Sequence, residues 1–271
     1  MRIAVLLCVY NGARFLREQL DSLLSQSLKD FIVYLHDDGS SDETVSILSE
    51  YVGKWPERFI LLDDTLKHRG ASASFMWLFS EVEADYYFFC DQDDIWLPFK
   101  MQHTLDRMRA VEMEHLGIPV LIHTDLLLCD GDGISLGTSF WQHQHFLVDI
   151  SKQKEYLAFG NVVTGCTALV NEALKRVAFP YDGTTMHDYW LAMKAARHGV
   201  VENLKEQTVH YRLHGGNAAG AGSRYDRRRI LWKRFWPQVK TELTRFRALT
   251  GKGVPAWLFY RTRYFILRHL A

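Results

Sequence analysis

A short acidic cluster follows an apolar run at residues 88–98, which read FFCDQDDIWLP. Asp91, Asp93 and Asp94 are so close in the chain that their negative charges repel one another, and each costs free energy to desolvate without a positive partner. Mg²⁺ and Mn²⁺ prefer oxygen ligands, and proteins often hold such ions with one or two carboxylates plus substrate phosphates. The spacing therefore favours a divalent cation site, although an acidic loop that caps the next helix would use the same residues.

Two further groups could bind a nucleoside. Asp37 and Asp38 precede Gly39 in the stretch HDDGSSD, and Tyr10 ends the first apolar run. The two carboxylates could accept hydrogen bonds from a base or a ribose, or they could serve only as turn and cap residues. Tyr10 could stack on the base or lie in the core.

Asp188 and a later segment supply a candidate base and a candidate anion site. Asp188 stands where the helical pattern HDYWLAMKAARHG begins, so it could be a helix N-cap worth about 1 kcal/mol. The dipole at a helix N-terminus also keeps a carboxylate ionised, which suits a general base. Arg212 and His214 lead into the glycine-containing turn 215–217, which predicts either anion binding or a plain hairpin turn.

Alternating strand and helix patterns must position these side chains. Apolar runs predict strands near residues 3–10, 31–35, 59–62 and 86–90, with helical periodicity between them and capping-box spacing at 40–43. Repeated βα units of this kind predict a mostly parallel sheet that helices cover on both faces. Because ligands bind such sheets outside the carboxyl ends of the strands, the clusters after the first, second and fourth strands should share one rim.

The second half of the chain is less regular. Pro98 is suited to the first position of a helix that runs to about Glu114. Further strands are predicted at 120–130, at 161–170 with an interruption at Gly165, and from 207 into the glycine-containing turn, with the Asp188 helix ending at Gly199.

Charge divides the chain into two parts. The 271 residues carry no net charge, yet residues 224–271 hold thirteen Lys and Arg against two acids, and residues 1–223 hold nineteen bases against thirty acids. We therefore expect a catalytic domain at 1–223 and a basic, aromatic-rich helical extension at 224–271. The extension could bind an anionic membrane, pack on the core or form a homodimer interface.

The remaining composition indicates a cytoplasmic protein. The four cysteines are widely spaced in apolar, strand-like contexts, which favours buried thiols in a reducing compartment over disulfides or a zinc site. The N-terminal run is too short for a signal peptide, and no stretch has the length of a membrane span. We expect no nucleic-acid partner and a location in the cytoplasm, with the inner face of the plasma membrane as the alternative.

The motifs together resemble family 2 glycosyltransferases, which have the GT-A fold. The resemblance rests on five stretches in order, and the wording of REQLDSLLSQS and DQDDIW is most similar to the rhamnosyltransferase-like branch. The five stretches are Tyr10-Asn11-Gly12, Asp37-Asp38-Gly39-Ser40, Asp91-Gln92-Asp93-Asp94-Ile95-Trp96, His187-Asp188 and Tyr211-Arg212-Leu213-His214. The chain departs from the usual family pattern at Cys8, Val9, His68 and Ser74.

The resemblance implies a role for each matching residue. Asp37 would contact the nucleotide base, Asp91 the ribose, and Asp93 the Mg²⁺ or Mn²⁺ that bridges the diphosphate. Asp188 would be the general base. Arg212 and His214 would lie near the diphosphate, with His214 as a candidate metal ligand. Tyr10, Asn11 and Asp38 would complete the donor site.

These roles imply a metal-dependent inverting transfer of a sugar, with rhamnose as one candidate, from a dTDP- or UDP-sugar. The acceptor would be a saccharide or a lipid-linked molecule in the synthesis of a bacterial surface polysaccharide or glycolipid. Two alternatives are another metal-dependent nucleotide-phosphate enzyme and a non-catalytic nucleotide-sugar binding module. The first lacks support because YNGARF holds one glycine and DQDDI comes late in the chain.

Overall fold

The computed structural model describes residues 1–214 and 235–270. The predicted turn at 215–217 and the predicted domain boundary between 223 and 224 lie outside this part of the chain. The strands are β1 Ile3–Val9, β2 Ile32–Asp37, β3 Phe59–Leu61, β4 Tyr86–Cys90, β5 Ile95–Trp96, β6 Val120–Cys129, β7 Ser135–Ser139, β8 Leu169–Asn171 and β9 Val200–Arg212. The helices are α1 Ala13–Leu24, α2 Thr44–Lys54, α3 Ala71–Glu81, α4 Lys100–Glu114, α5 Phe140–Gln144, α6 Lys154–Leu157, α7 Glu172–Ala178, α8 His187–His198, α9 Phe235–Thr250 and α10 Val254–Leu270. Short 3₁₀ turns occupy Ile150–Lys152 and Gly165–Thr167.

The strands form one sheet in the order β3-β2-β1-β4-β8-β6-β9-β5, and β7 pairs with β6. The first four strands in this order are parallel, as the βα pattern predicts, whereas β8, β5 and β7 run antiparallel to their neighbours. Val9 pairs with Asp37, and Leu7 pairs with Cys90. The polar residues after β1, β2 and β4 therefore share one edge of the sheet.

Both faces of the sheet are buried, which explains the continuous apolar strands. Along β1, Val5 and Leu7 pack on the face that α1, α2 and α4 cover. Ala4 and Leu6 pack on the opposite face, beneath α3, α7 and α8. Because successive side chains of a strand point to opposite faces, a strand buried on both sides needs apolar residues at every position.

The antiparallel strand β5 sets the geometry of the acidic loop. Ile95 pairs with His210 and Trp96 with Val209, so the loop before β5 lies beside the end of β9. These two segments are more than a hundred residues apart in the sequence, and the pairing of β5 with β9 brings them together.

Two helix starts differ from the sequence prediction. Pro98 is not the first residue of α4, which begins at Lys100, because Pro98 lies in a turn whose carbonyl accepts from the Ser27 N–H at 2.7 Å. The predicted capping box at 40–43 is absent, because the Ser40 hydroxyl accepts from the Asn11 N–H at 2.8 Å. The backbone N–H of Thr44 instead binds Asp42.

Two predicted strands also differ in extent. The segment 161–170 forms a 3₁₀ turn at Gly165–Thr167, and only Leu169–Asn171 joins the sheet. The strand β9 begins seven residues earlier than predicted, at Val200, because its first half pairs in parallel with β6.

Helices α9 and α10 pack on the rest of the molecule. Phe246, Leu249 and Trp257 form a small buried cluster with Ala158, just after α6. Glu242 is buried and accepts from Arg261 at 2.8 Å, so this bond ties α9 to α10. No helix in the described ranges combines the length and the apolar character that a membrane crossing requires.

Candidate functional site

A cleft of about 430 Å³ opens at the carboxyl edge of the parallel strands. It lies where the sequence places the rim, and it collects segments from β1, β2, β4, the start of α3, the 3₁₀ turn and the start of α8. Its lining comprises Cys8, Val9, Tyr10, Asp38, His68, Gly70, Ala71, Ser74, Phe75, Asp91, Gln92, Asp93, Thr164, Gly165, Met186, His187, Asp188 and Tyr211.

Tyr10 stands at the mouth of this cleft, held by Gln92. The backbone N–H of Tyr10 donates to Gln92 Oε1 at 2.8 Å, and Gln92 Nε2 donates back to the Tyr10 carbonyl at 3.1 Å. The Tyr10 side chain is 50% exposed, so it is not a core residue. A Cβ on Gly12 would meet Gln92 Oε1 at 2.4 Å, so a glycine is needed there for this pair to form.

Asn11 and the two carboxylates after β2 make their bonds within the rim. Asn11 has a positive φ of 47°, and its side-chain oxygen accepts from the Ser41 N–H at 2.8 Å. Asp37 accepts from the backbone N–H groups of Gly39 and Ser40 and does not line the cleft. Asp38 lines the cleft and holds the loop before α3 through the N–H groups at positions 69 and 70.

Asp91, which lines the cleft, and Asp94, which does not, form a crowded acidic pair. A carboxylate oxygen of Asp91, a carboxylate oxygen of Asp94 and the Cys166 sulfur all lie within 4.8 Å of one another. Burial, then the charges of Asp93 and Asp188, raise the pKa of Asp91 to about 7. Asp94 is 1% exposed, and the Cys166 thiol and the Arg212 backbone N–H are its hydrogen-bonding neighbours. Burial and its acidic neighbours raise the pKa of Asp94 well above its ordinary value.

Asp93 faces His214 rather than its acidic neighbours. His214 Nε2 lies 2.8 Å from Asp93 Oδ2, and both side chains retain some exposure. Arg212 is buried behind this loop, where it donates to the Asp93 carbonyl at 3.4 Å and forms an ion pair with Glu18. Arg212 therefore lies near the acidic loop, and its guanidinium contacts the backbone of that loop.

Asp188 lies in the first turn of α8 and faces the same cleft. It is not the N-cap predicted from sequence, because the helix begins one residue earlier and Met186 takes that position. Burial raises the pKa of Asp188 to about 6 against opposing hydrogen bonds from the Tyr189 N–H, the Gly165 N–H and the Asn161 side chain. The Tyr189 N–H is 2.5 Å from the carboxylate. A carboxylate with this pKa is mostly ionised at neutral pH and can accept a proton.

His187 packs beneath Asp188 in an apolar environment. Its ring stacks on Phe75 with centroids 4.4 Å apart, and burial lowers its pKa to about 3, so the imidazole is neutral. A Cβ on Gly165 would lie 2.8 Å from His187 Nε2. The glycine that interrupts the predicted strand is therefore required for close packing against α8.

Several residues of the site escaped the sequence analysis. Gln92, Asn161, Cys166 and Phe75 either line the cleft or bind its carboxylates. Lys100 is fully buried below it, and burial lowers its pKa to about 8. The polar residues inside the apolar stretch NVVTGC were the available signal for Asn161 and Cys166.

The four departures from the family pattern all lie in this cleft. Cys8, Val9, His68 and Ser74 contribute to its lining. The Tyr10 and His68 rings meet edge to face, with centroids 5.7 Å apart. These four departures therefore lie where a ligand would contact the cleft.

Comparison with known families decides the assignment. Residues 4–114, which run from β1 through α4, match the family described as "Glycosyl transferase family 2". Residues 4–114 therefore carry a glycosyltransferase family 2 domain, which accounts for 111 of the 271 residues. This domain contains Tyr10, Asp37, Asp91 and Asp93, whereas Asp188 lies beyond it.

The chain is similar to its relatives over different lengths. An uncharacterised glycosyltransferase of Nostoc sp. is 26% identical over 224 residues, which are 80% of this chain and 66% of the relative. The dTDP-rhamnosyl transferase RfbG of Shigella flexneri is 34% identical over 103 residues, which are 37% of this chain and 36% of the relative. The chain thus spans about a third to two thirds of the length of these relatives.

Solved structures confirm the GT-A fold over nearly the whole chain. TarS 1-349 of S. aureus in complex with UDP-GlcNAc superposes with a TM-score of 0.63 at 17% identity, covering 94% of this chain and 69% of TarS 1-349. The mannosyltransferase PcManGT of Pyrobaculum calidifontis, in complex with GDP-Man and Mn²⁺, gives 0.59 at 15% identity, covering 99% and 86%.

Proposed function

We propose that this glycosyltransferase moves a sugar from a nucleotide-diphospho-sugar to an acceptor hydroxyl, with inversion at the anomeric carbon and dependence on a divalent metal. The observation that carries the proposal is the pairing of two kinds of carboxylate in one cleft. Asp188 is close enough to Asp91 for its charge to raise the pKa of that residue. A base and a donor-binding acidic loop therefore face a common volume.

In the proposed reaction Asp188 accepts the proton of the acceptor hydroxyl. The hydroxyl oxygen forms a bond to the anomeric carbon while the bond from that carbon to the diphosphate oxygen breaks, and the electron pair leaves with the diphosphate. A single displacement of this kind inverts the anomeric centre. Hydrogen bonds from Tyr189 and Gly165 keep the Asp188 carboxylate ionised until the transfer.

The residues present suit a divalent ion. Asp93 and His214 offer an oxygen and a nitrogen ligand side by side at the cleft. Asp94 is buried beside Asp91, and burial followed by the charges of neighbouring acids raises the pKa of both carboxyls. A bound Mg²⁺ or Mn²⁺ would relieve this repulsion and supply positive charge to the leaving diphosphate.

For the donor we propose a dTDP- or UDP-sugar, with rhamnose as one candidate. Tyr10 is exposed at the mouth of the cleft and could stack on the base, and Asp38 and Asp91 line the interior. Support for rhamnose comes from the similarity to the Shigella flexneri enzyme over 103 residues. Asp37 would reach the base only if its bonds to Gly39 and Ser40 rearranged.

For the acceptor we propose a saccharide or a lipid-linked molecule in the synthesis of a bacterial surface polysaccharide or glycolipid. The four cysteines are free thiols, three of them buried, which favours a reducing compartment. We therefore propose that the reaction takes place on the cytoplasmic side of the cell.

The test is a thermal-shift screen of nucleotide-sugars with Mn²⁺, followed by transfer assays with the donor that binds. A donor at one hundred times its dissociation constant should stabilise the protein by about 2.7 kcal/mol. Wild type and Asp188→Asn should bind this donor equally, and only wild type should turn it over. Binding without turnover by wild type across an acceptor panel would favour a non-catalytic binding module instead.

A further inference from the structure

Helix α10 presents an apolar face to solvent. Val254, Leu258, Phe259, Phe265 and Ile266 are each between 38% and 59% exposed. Their spacing places them on one side of the helix, while Trp257 and Tyr264 on the opposite side are buried. Large apolar side chains that are grouped in this way mark a surface that another apolar phase covers.

Arginines border this face. Arg263 is exposed one turn after Phe259, and the Arg261 guanidinium lies 4.8 Å from the Phe265 ring centroid. Helix α10 contains no Asp or Glu at all. The single acid of α9, Glu242, is buried and already bound to Arg261.

This charge pattern discriminates among possible partners. A second copy of the chain would place arginines opposite arginines across the face, with no acid on either helix α10 to pair with them. Residues 215–234 carry six Lys and Arg against one acid, so they add to the positive charge of the chain. An apolar phase bordered by anions is the complementary surface.

We propose that the exposed face of α10 binds the surface of an anionic lipid bilayer. The apolar side chains enter the boundary between headgroups and acyl chains, and the exposed Arg263 meets lipid phosphates. Positive charge near an anionic leaflet adds to the affinity, and salt weakens it.

The position of α10 relates this surface to the cleft, and this part of the inference rests on the proposed transferase function. The Tyr264 ring contacts Phe159, with centroids 5.7 Å apart. Asn161, two residues further along, is a hydrogen-bond partner of the base Asp188. A bilayer on α10 is thus connected by one short segment to the side of the cleft that holds the base, where a lipid-linked acceptor would enter.

Vesicle co-sedimentation of the full chain tests the surface. We expect wild type to bind vesicles of phosphatidylcholine mixed with phosphatidylglycerol at low salt, and to bind pure phosphatidylcholine much less. The pair Phe259→Glu/Ile266→Glu should lower the bound-to-free ratio about tenfold or more, because two charges would have to enter the apolar boundary. Arg263→Glu should cause a smaller loss and a weaker dependence on salt.

The matched control is Met113→Glu/Leu116→Glu, which changes two residues with 81% and 83% exposure at the end of α4. This variant should bind vesicles like wild type. Circular dichroism and the thermal midpoint should be unchanged in all variants, and transfer to a soluble acceptor should persist, so a failure of membrane binding is separate from a failure of the transferase. Equal vesicle binding by wild type and the α10 pair would overturn the proposal. So would a dimer, in light scattering, that the α10 pair dissociates.

Discussion

Two groups of carboxylates at the cleft differ in the charges and hydrogen bonds that surround them. Asp91 and Asp94 crowd together, and beyond burial it is the charges of other acids that raise their pKa values. Burial alone raises the pKa of Asp188, and the other influences on this pKa are hydrogen bonds, which lower it. The same residue type is thus crowded by other acids in one place and supported mainly by hydrogen bonds in the other.

This difference assigns the two sites different chemistry. A carboxylate supported by N–H groups keeps its charge without help and can exchange a proton with a substrate. A set of crowded carboxylates keeps its charges only when a cation joins it. We therefore propose that Asp188 accepts the proton and that the acidic loop binds the donor through a metal, and four experiments test that division.

The largest effect should come from Asp188→Asn. Asn keeps the size of the side chain but cannot accept the proton, so kcat should fall by about 10² to 10⁴ with little change in donor affinity. Stopped assays give kcat, and thermal shift with donor gives affinity. Asp132→Asn, on the exposed loop before β7, is the control and should be neutral. Near-wild-type turnover in Asp188→Asn would leave this carboxylate with a structural role.

Asp93→Ala should have the second largest effect. Without this ligand beside His214, most activity at ordinary metal levels should be lost, and the Mn²⁺ concentration for half-maximal rate should rise by about 10- to 100-fold. Metal titrations of wild type, Asp93→Ala and His214→Ala measure it. Full wild-type activity in excess EDTA would contradict the metal dependence and, with it, the contrast between the two sites.

Tyr10→Ala should affect binding without affecting chemistry. Loss of an aromatic face that stacks on the base should raise the KM for the donor about tenfold and leave kcat nearly unchanged. Tyr10→Phe keeps the ring and should behave like wild type. A fall in kcat rather than a rise in KM would show that Tyr10 does not belong to the donor-binding side.

The smallest signal should be a pH-dependent stability of the metal-free protein. The pKa of Asp91 is about 7 in the folded state against 3.8 ordinarily, so the folded state retains a proton that the unfolded state releases. The free energy of unfolding should therefore decrease as pH rises from about 4 to 7. Mn²⁺ favours the ionised form, so its stabilisation should grow across this window. Thermal midpoints with EDTA and with Mn²⁺ measure this, and Asp91→Asn should remove much of the slope.

The sequence predicted the first half of the fold better than the second. Strands β1, β2 and β4 appear where continuous apolar runs predict them, because both faces of this parallel sheet are buried. In the second half the pairing partners are far apart in sequence. The first residues of β9 form a strand because they pair with β6. A glycine is needed at position 165 because the His187 ring packs against it. A local sequence pattern indicates neither contact.

Side-chain competition explains the errors at helix starts. Ser40 has the residue type for a helix cap, but its hydroxyl oxygen accepts a hydrogen bond from the Asn11 N–H instead. Asp188 has the residue type for an N-cap, yet α8 begins before it, which leaves its carboxylate in the first turn with access to the cleft. A residue type states which bonds a side chain can make, and the neighbours in space decide which bond it makes.

The sequence by itself determined the residue types of the reaction and the order of the elements that carry them. Three carboxylates after an apolar strand and a parallel βα pattern were sufficient to indicate which edge of the sheet carries the polar cluster, and five ordered motifs carried the resemblance to family 2 glycosyltransferases. Only the tertiary structure decided which carboxylates crowd one another, which one backbone amides support, and that Arg212 lies behind the acidic loop. The physical reason is that burial and electrostatic compensation depend on distances between segments as far apart as residues 91 and 188, which folding alone brings together.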